Sequence, residues 1–135
     1  NMNDFFRKIN GAVIRALKNC GAKNLSERGI SDIVIGQMKI LGSAMHRKPK
    51  TVFYHGVLNV AEPVESFDAL LKHPSREPNY RQGRSHKAFV TSLKAAGYLW
   101  EPQSVKAALE KELKKLTQSA DDLKNPESEF IGSKK

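Results

Sequence analysis

The segment from Ile30 to Val60 constrains the fold more than any other part of this chain. It holds three strand-length runs, Ile30–Ile35, Met38–Met45 and Thr51–Val60, rich in apolar and β-branched residues. Gly36-Gln37 separates the first two runs, a step that suits a two-residue hairpin loop. The basic turn Arg47–Lys50, which contains Pro49, separates the second from the third. Connections this short join antiparallel neighbours, so the segment predicts an antiparallel meander.

Helical patterns flank it. Phe5, Ile9, Val13, Ala16, Leu17 and Cys20 recur at three- and four-residue spacing, predicting a helix over 4–20 with Asp4 as cap and Gly21 as stop. Residues 22–29 read as a polar loop. Pro63 opens a short helix with Val64, Phe67, Leu70 and Leu71 on one face. The stretch 73–84, HPSREPNYRQGR, is long for a plain connection and rich in turn formers, a pattern often tied to function. Ser85 caps a further helix carrying Phe89, Val90, Leu93 and Ala96, which Gly97 ends. A last helix starts at Pro102 or Ser104 and carries Val105, Ala108, Leu109, Leu113 and Leu116. A polar C-terminal tail follows from 118 to 135. The fold class is α+β, a small and mostly antiparallel sheet with flanking helices. Three strands are few for 135 residues, and the sheet edge needs cover, so the chain reads as part of a larger sheet domain.

Composition narrows the class. Hydrophobic residues at 39% and charged residues at 27% fit a globular domain, and no apolar run approaches the ~20 residues of a membrane span. The first residues, NMNDFFRKIN, lack the apolar core of a signal peptide. Cys20 is the one cysteine, which excludes an intrachain disulfide and reads as a packing residue, with a reactive thiol as the alternative. A cytoplasmic location is expected. Net charge is +9, and the excess lies early: residues 1–58 set ten Lys/Arg against three Asp/Glu, whereas residues 101–135 hold seven of each. A basic face points to a nucleotide, a nucleic acid or an acidic protein, or else to a solvated surface kept for solubility.

Few residues stand out as chemical. Strand alternation sets Lys39 with Leu41 and Ser43 on one face and Met38 with Ile40 on the other. A fixed ammonium beside Gly42, which lets backbone or ligand approach, and the Ser43 hydroxyl is a means of holding a phosphate. The plainer alternative is a strand lysine pointing to water. His55-Gly56 in the third strand marks a bulge, a close ligand approach or a structural histidine. Arg81 and Arg84 precede a helix start, where they suit either an anion or nearby carboxylates. No zinc spacing, P-loop, G-x-S-x-G or dinucleotide fingerprint occurs.

Taken together, SDIVIGQMKILGSA, then YHGVLN, then YRQGRSHKAFVTSL resemble the lipoate–protein ligase family, within the biotin and lipoate ligase superfamily. The resemblance spans roughly Phe5 to Gly97 and makes residues 1–117 a partial ligase-like catalytic domain. It implies that Lys39 touches an acyl-adenylate at its carbonyl and phosphate. It implies that Asp32 lies near the nucleotide and Mg2+, that Gly42, Ser43 and Ala44 run beside the adenylate, and that His55 and Gly56 form the following strand's contact. Arg84 matches an arginine of the later loop. Ser31-Asp32 departs from the family's usual Asn-Asp. The related octanoyltransferases use a cysteine near this strand, and Cys20 is too far upstream to match it. The family's Arg-Arg-x-x-Gly-Gly-Gly segment does not occur in this sequence, so the resemblance covers one half of a catalytic domain.

The implied activity is ATP-dependent activation of lipoate to lipoyl-adenylate, then transfer to the lysine of a lipoyl domain. ATP, Mg2+ and lipoate are the implied ligands. An acidic lipoyl-domain acceptor is the implied partner, with the missing half of the fold or a second copy. The alternative is a non-enzymatic basic binding module for nucleic acid or an acidic protein. An aromatic content of 7% without an aromatic-and-basic repeat disfavours a single-strand binder.

Overall fold

The computed structural model describes residues 2–66 and 72–124. Helix α1 (Met2–Asn19) buries Phe6, Asn10, Val13 and Leu17 against the sheet and sets Ala12 and Ala16 among its other buried positions. The expected stripe is thus shifted: Phe6 takes the core place given to Phe5, which is 45% exposed. The helix also starts earlier, so Asp4 lies inside its first turn rather than at the cap. Gly21, at φ +110°, ends it as expected, with the Ala22 N–H donating back to the Leu17 carbonyl at 2.9 Å. Cys20 sits in that turn and is only partly buried.

Four strands form one antiparallel sheet in sequential order: β1 (Leu25–Arg28), β2 (Asp32–Ile35), β3 (Met38–Lys48) and β4 (Thr51–Leu58). The meander is as expected, and Gly36-Gln37 is its two-residue loop, with Gly36 at φ +61°. Strand β1 is the addition, lying where a polar loop was expected. LSER is short and polar because it is an outer strand, pairing only with β2 and half exposed. Ile30 and Ser31 belong to the turn before β2 rather than to the strand.

The pairing of β2 with β3 is irregular. Ile33 faces Leu41, yet the next residue, Val34, faces Lys39. Ile40 is therefore an extra residue, a β-bulge. It breaks the alternation on which the sequence reading relied. Lys39 does not share a face with Leu41 and Ser43; beyond the bulge that face passes to Gly42 and Ala44. Leu41 turns with Ile33 into the helix-covered core, and Ile40 is buried there too. Val13, Leu17, Ala22, Leu93 and Val105 complete that core.

Pairing with β3 beyond the end of β4 cuts short the helix expected over 85–97. Helix α2 is only His86–Phe89. Val90 turns extended, at φ −106° and ψ 141°, and bridges to Lys39, while the Thr91 N–H donates to the Lys39 carbonyl at 2.8 Å. Leu93 and Lys94 then donate to the carbonyls of Asn59 and Val60. Buried Asn59 ties this junction: its amide nitrogen donates to the Glu62 and Thr91 carbonyls, and its oxygen accepts from the Glu62 N–H. Tertiary pairing thus overrides helix propensity after Phe89.

The helix expected from Pro63 falls, beyond Ser66, outside the described residues. Helix α3 (Pro102–Lys124) continues past Gln118, so the first part of the expected tail is helical. It packs along α1, where the buried Glu112 carboxylate accepts from Arg15, Asn19 and Lys115. Lys115 and Arg15 hold that carboxyl below the ordinary range, against the opposing effect of burial. None of the described helices is long and apolar enough to cross a membrane.

Candidate active site

An open cavity of about 890 Å3 lies on the sheet face opposite α1, walled by the β1–β2 turn on one side and the 77–80 loop on the other. Lys39, Asp32, Gly42, Ser43, Ala44 and His55 all line it. The bulge brings this group together. Asp32 and Val34 point to one face of β2, and the shifted register sets Lys39 on that same face beside Gly42. Ala44 pairs with His55 and Gly42 with Val57, so these four extend the floor across β3 and β4.

The Lys39 Nζ lies 3.2 Å from Asp32 Oδ1, with the lysine side chain 29% exposed and the aspartate 10%. To reach it, the lysine crosses directly over Gly42. A Cβ at that position would stand 2.7 Å from Lys39 Cε and 2.8 Å from Nζ. Glycine is needed here for close approach rather than for backbone freedom. The other carboxylate oxygen, Oδ2, accepts from the Tyr80 hydroxyl at 2.7 Å. Burial, reinforced by the bond to Asp32, pushes the Tyr80 phenol far above its ordinary value, so it stays protonated and donates.

Tyr80 comes from a single 3-10 turn, Asn79–Arg81, and was not singled out by sequence. The available signal was only the length of the 73–84 loop. That loop is built tightly. Glu77 accepts from the Gly83 N–H at 2.7 Å and pairs with His73 at 2.6 Å, contacts that hold its carboxyl below the ordinary range, His73 first. Phe89 sits behind it as a shared ring: Tyr80 packs against it at 5.2 Å with the rings tilted by 53°, while Arg81, Arg84 and Lys39 lie 4.8, 5.3 and 5.8 Å from its centroid. The cavity lining itself sets one cation, Lys39, against the Asp32 and Glu77 carboxylates, while the Arg81 and Arg84 guanidiniums lie behind it on Phe89, outside the lining.

Two expected site residues lie elsewhere. Gly56 pairs with Ser43 and is on the α1 face of the sheet, where a Cβ would meet the Tyr54 hydroxyl at 2.9 Å. Arg84 does not line the cavity. Its guanidinium donates to the carbonyls of Gln37, Tyr80, Arg81 and Ala88, so it fastens the loop to the β2–β3 turn. Ser43 borders the cavity, but its hydroxyl donates to the Ser31 carbonyl at 2.9 Å and fixes the β1–β2 turn.

The fold and site invite comparison with known proteins. Among solved structures, lipoate-protein ligase A bound with ATP superposes with a TM-score of 0.68 at 20% identity, covering 87% of this chain and 47% of that one. The bi-partite lipoate protein ligase of Thermoplasma acidophilum, described with its E2 lipoyl domain, gives 0.71 at 20% identity, covering 87% and 46%. Biotin protein ligase from Aquifex aeolicus gives 0.62 at 14% identity, covering 88% and 47%. These likenesses show the fold, and the chain spans about half the length of each. No curated protein sequence matches. The profile described as the lipoyl protein ligase A/B catalytic domain matches residues 1–114. The chain therefore belongs to the lipoyl protein ligase A/B catalytic domain family.

Proposed function

We propose that this chain carries the adenylate-binding half, residues 1–117, of a lipoate–protein ligase catalytic domain. The observation that carries the reading is Lys39, laid across Gly42 and held by Asp32 at the floor of the cavity. The structural relatives described with ATP and with lipoic acid support the same ligands here.

In the first step the lipoate carboxylate attacks the α-phosphorus of ATP and pyrophosphate leaves. The Lys39 ammonium offsets charge gathering on the phosphoryl oxygens, a point charge placed in advance by the bulge. In the second step an acceptor lysine amine attacks the acyl carbonyl of the mixed anhydride, and AMP leaves. Here the same ammonium sits beside the bond that breaks. Gly42, Ser43 and Ala44 offer a strand with little side-chain bulk for the adenylate to lie against, with His55 across from Ala44. Gly56 and Arg84 act indirectly, by shaping β4 and the loop.

Magnesium fits in one way. Among the described residues no three potential ligands cluster, and both Asp32 oxygens already accept from Lys39 and Tyr80. Asp32 would be its single protein carboxylate, and the ion would come with the nucleotide phosphates, as this hard cation commonly does. When bound, it supplies further neutralisation of phosphate charge.

The test is lipoyl transfer to a lipoyl domain with ATP and Mg2+. The chain alone is expected to show no useful turnover, because half a pocket leaves lipoate unoriented and orientation supplies much of the rate. Adding a polypeptide that supplies the rest of the fold restores transfer. Lys39→Arg abolishes it, since a planar guanidinium cannot take the ammonium's place over Gly42. Full turnover by the complemented Lys39→Arg protein would remove Lys39 from the mechanism.

A further inference from the structure

Strands β3 and β4 outrun the rest of the sheet. Strand β2 pairs with β3 only from Met38 to Leu41, whereas β3 and β4 stay paired out to Lys48 and Thr51. The far part is a two-stranded arm closed by Pro49-Lys50, with no further strand beside it among the described residues. From Gly42 to Lys48 the arm extends about 20 Å at the usual strand rise.

Its chemistry is one-sided. No acidic residue occurs between Asp32 and Glu62. His46, Arg47, Lys48 and Lys50 crowd the tip, and all are exposed. Arg47, Lys48 and Lys50 make no ion pair or side-chain hydrogen bond among the described residues. Phe53 stands 63% exposed beside His55, its ring centroid 5.9 Å away. By alternation the side of the arm bearing Phe53, His46 and Lys48 is the side bearing Gly42, Ala44 and His55. The basic tip and the cavity are thus two ends of one surface.

We propose that this arm is the docking surface for the acceptor: a folded domain with an acidic face, seated on the tip so that its target lysine enters the cavity beside Lys39. The proposal rests on the ligase reading and names where its protein substrate binds. Lys48 on the cavity side and Lys50 at the turn supply charge complementarity and steer encounter, and Arg47 adds to the field of the tip from its reverse side. Phe53 supplies an apolar anchor inside a charged rim. Continuity with the cavity is what favours a protein that must deliver a lysine over nucleic acid. A strand-binding surface would also present successive stacking rings, and Phe53 is the arm's one large aromatic side chain on this face.

The experiment measures affinity of the full chain for an unmodified lipoyl domain at low and high salt, alongside affinity for a non-hydrolysable lipoyl-adenylate analogue and for single-stranded RNA. The variant is Arg47→Glu/Lys48→Glu/Lys50→Glu, with Phe53→Ser as a second, uncharged probe. Expected are a loss of acceptor affinity of about tenfold or more in the triple variant, loss or reversal of the weakening by salt, and a smaller loss for Phe53→Ser. Analogue binding stays unchanged in both. Unchanged acceptor affinity in both variants overturns the docking proposal and leaves the ligase reading standing. So does a wild-type chain that binds the analogue and single-stranded RNA but not the acceptor. Failure of the wild-type chain to bind either analogue or acceptor overturns the ligase reading itself.

Discussion

Gly42→Ala separates what the cavity needs from what the fold needs. Gly42 is not among the residues at positive φ, so alanine suits its backbone. The new methyl carbon would stand 2.7 Å from Lys39 Cε and 2.8 Å from Nζ, and 3.7 Å from Asp32 Oδ1. Both close atoms are the free end of a flexible side chain, so the lysine moves and the strand does not. Relief to ordinary contact displaces the ammonium by about 1 Å or swings it to solvent. The stability at stake is that of a partly exposed ion pair, at most about 1 kcal/mol. That corresponds to a fall in Tm of roughly 4 °C for a domain of this size. The chemical consequence is larger, since a misplacement of about 1 Å at a reacting centre costs on the order of 100-fold in rate. The assay is lipoyl transfer by the complemented chain, with a thermal melt of the same preparation. Transfer at the wild-type rate would refute the placement of Lys39 over Gly42. A fall in Tm well beyond roughly 10 °C would show instead that the methyl strikes rigid backbone.

The opposite face offers a control. Gly56→Ala would set a methyl 2.9 Å from the Tyr54 hydroxyl and 3.4 Å from Ser43 Cβ, away from the cavity. It is expected to lower Tm by more than Gly42→Ala while leaving adenylate-analogue affinity within about threefold, read by melting and calorimetry, since it strikes packing rather than the site. Tyr80→Phe removes the hydroxyl that holds Asp32 Oδ2 at 2.7 Å. A bond to a charged acceptor contributes about 1.5–3 kcal/mol, so Tm should fall by several degrees, and analogue binding should weaken through the loosened Lys39–Asp32 pair. Unchanged binding and stability would mean that the tyrosine merely covers the cavity.

Much of this architecture was legible because it rests on periodicity. The meander, its glycine-first turn and the helical stripes of α1 and α3 all follow from local pattern. What stayed hidden depends on pairing between distant segments. LSER becomes a strand only because β2 lies beside it. The helix after Ser85 stops at Phe89 because Thr91 finds the Lys39 carbonyl. The bulge at Ile40 leaves no compositional trace, yet it decides which residues share the face of Lys39. Strand alternation and the Gly36-Gln37 hairpin lead to the expectation that Lys39, Asp32 and the Gly42–Ala44 strand share one surface; the alternation fails at Ile40, and the bulge is what sets these residues side by side. Tyr80 and the stapling role of Arg84 could not be read from spacing, because both depend on how the 73–84 loop folds over the sheet.

The central claim, that this cavity receives an acyl-adenylate through Lys39, is tested most directly by an NMR titration. Isotope-labelled chain is titrated with a sulfamoyl analogue of lipoyl-adenylate, and the shifted amide and lysine signals are mapped. Saturable shifts are expected at Asp32, Lys39, Gly42, Ser43, Ala44 and His55, together with their loss in Lys39→Ala. Shifts gathered at a different surface, or shifts that survive Lys39→Ala unchanged, would contradict it.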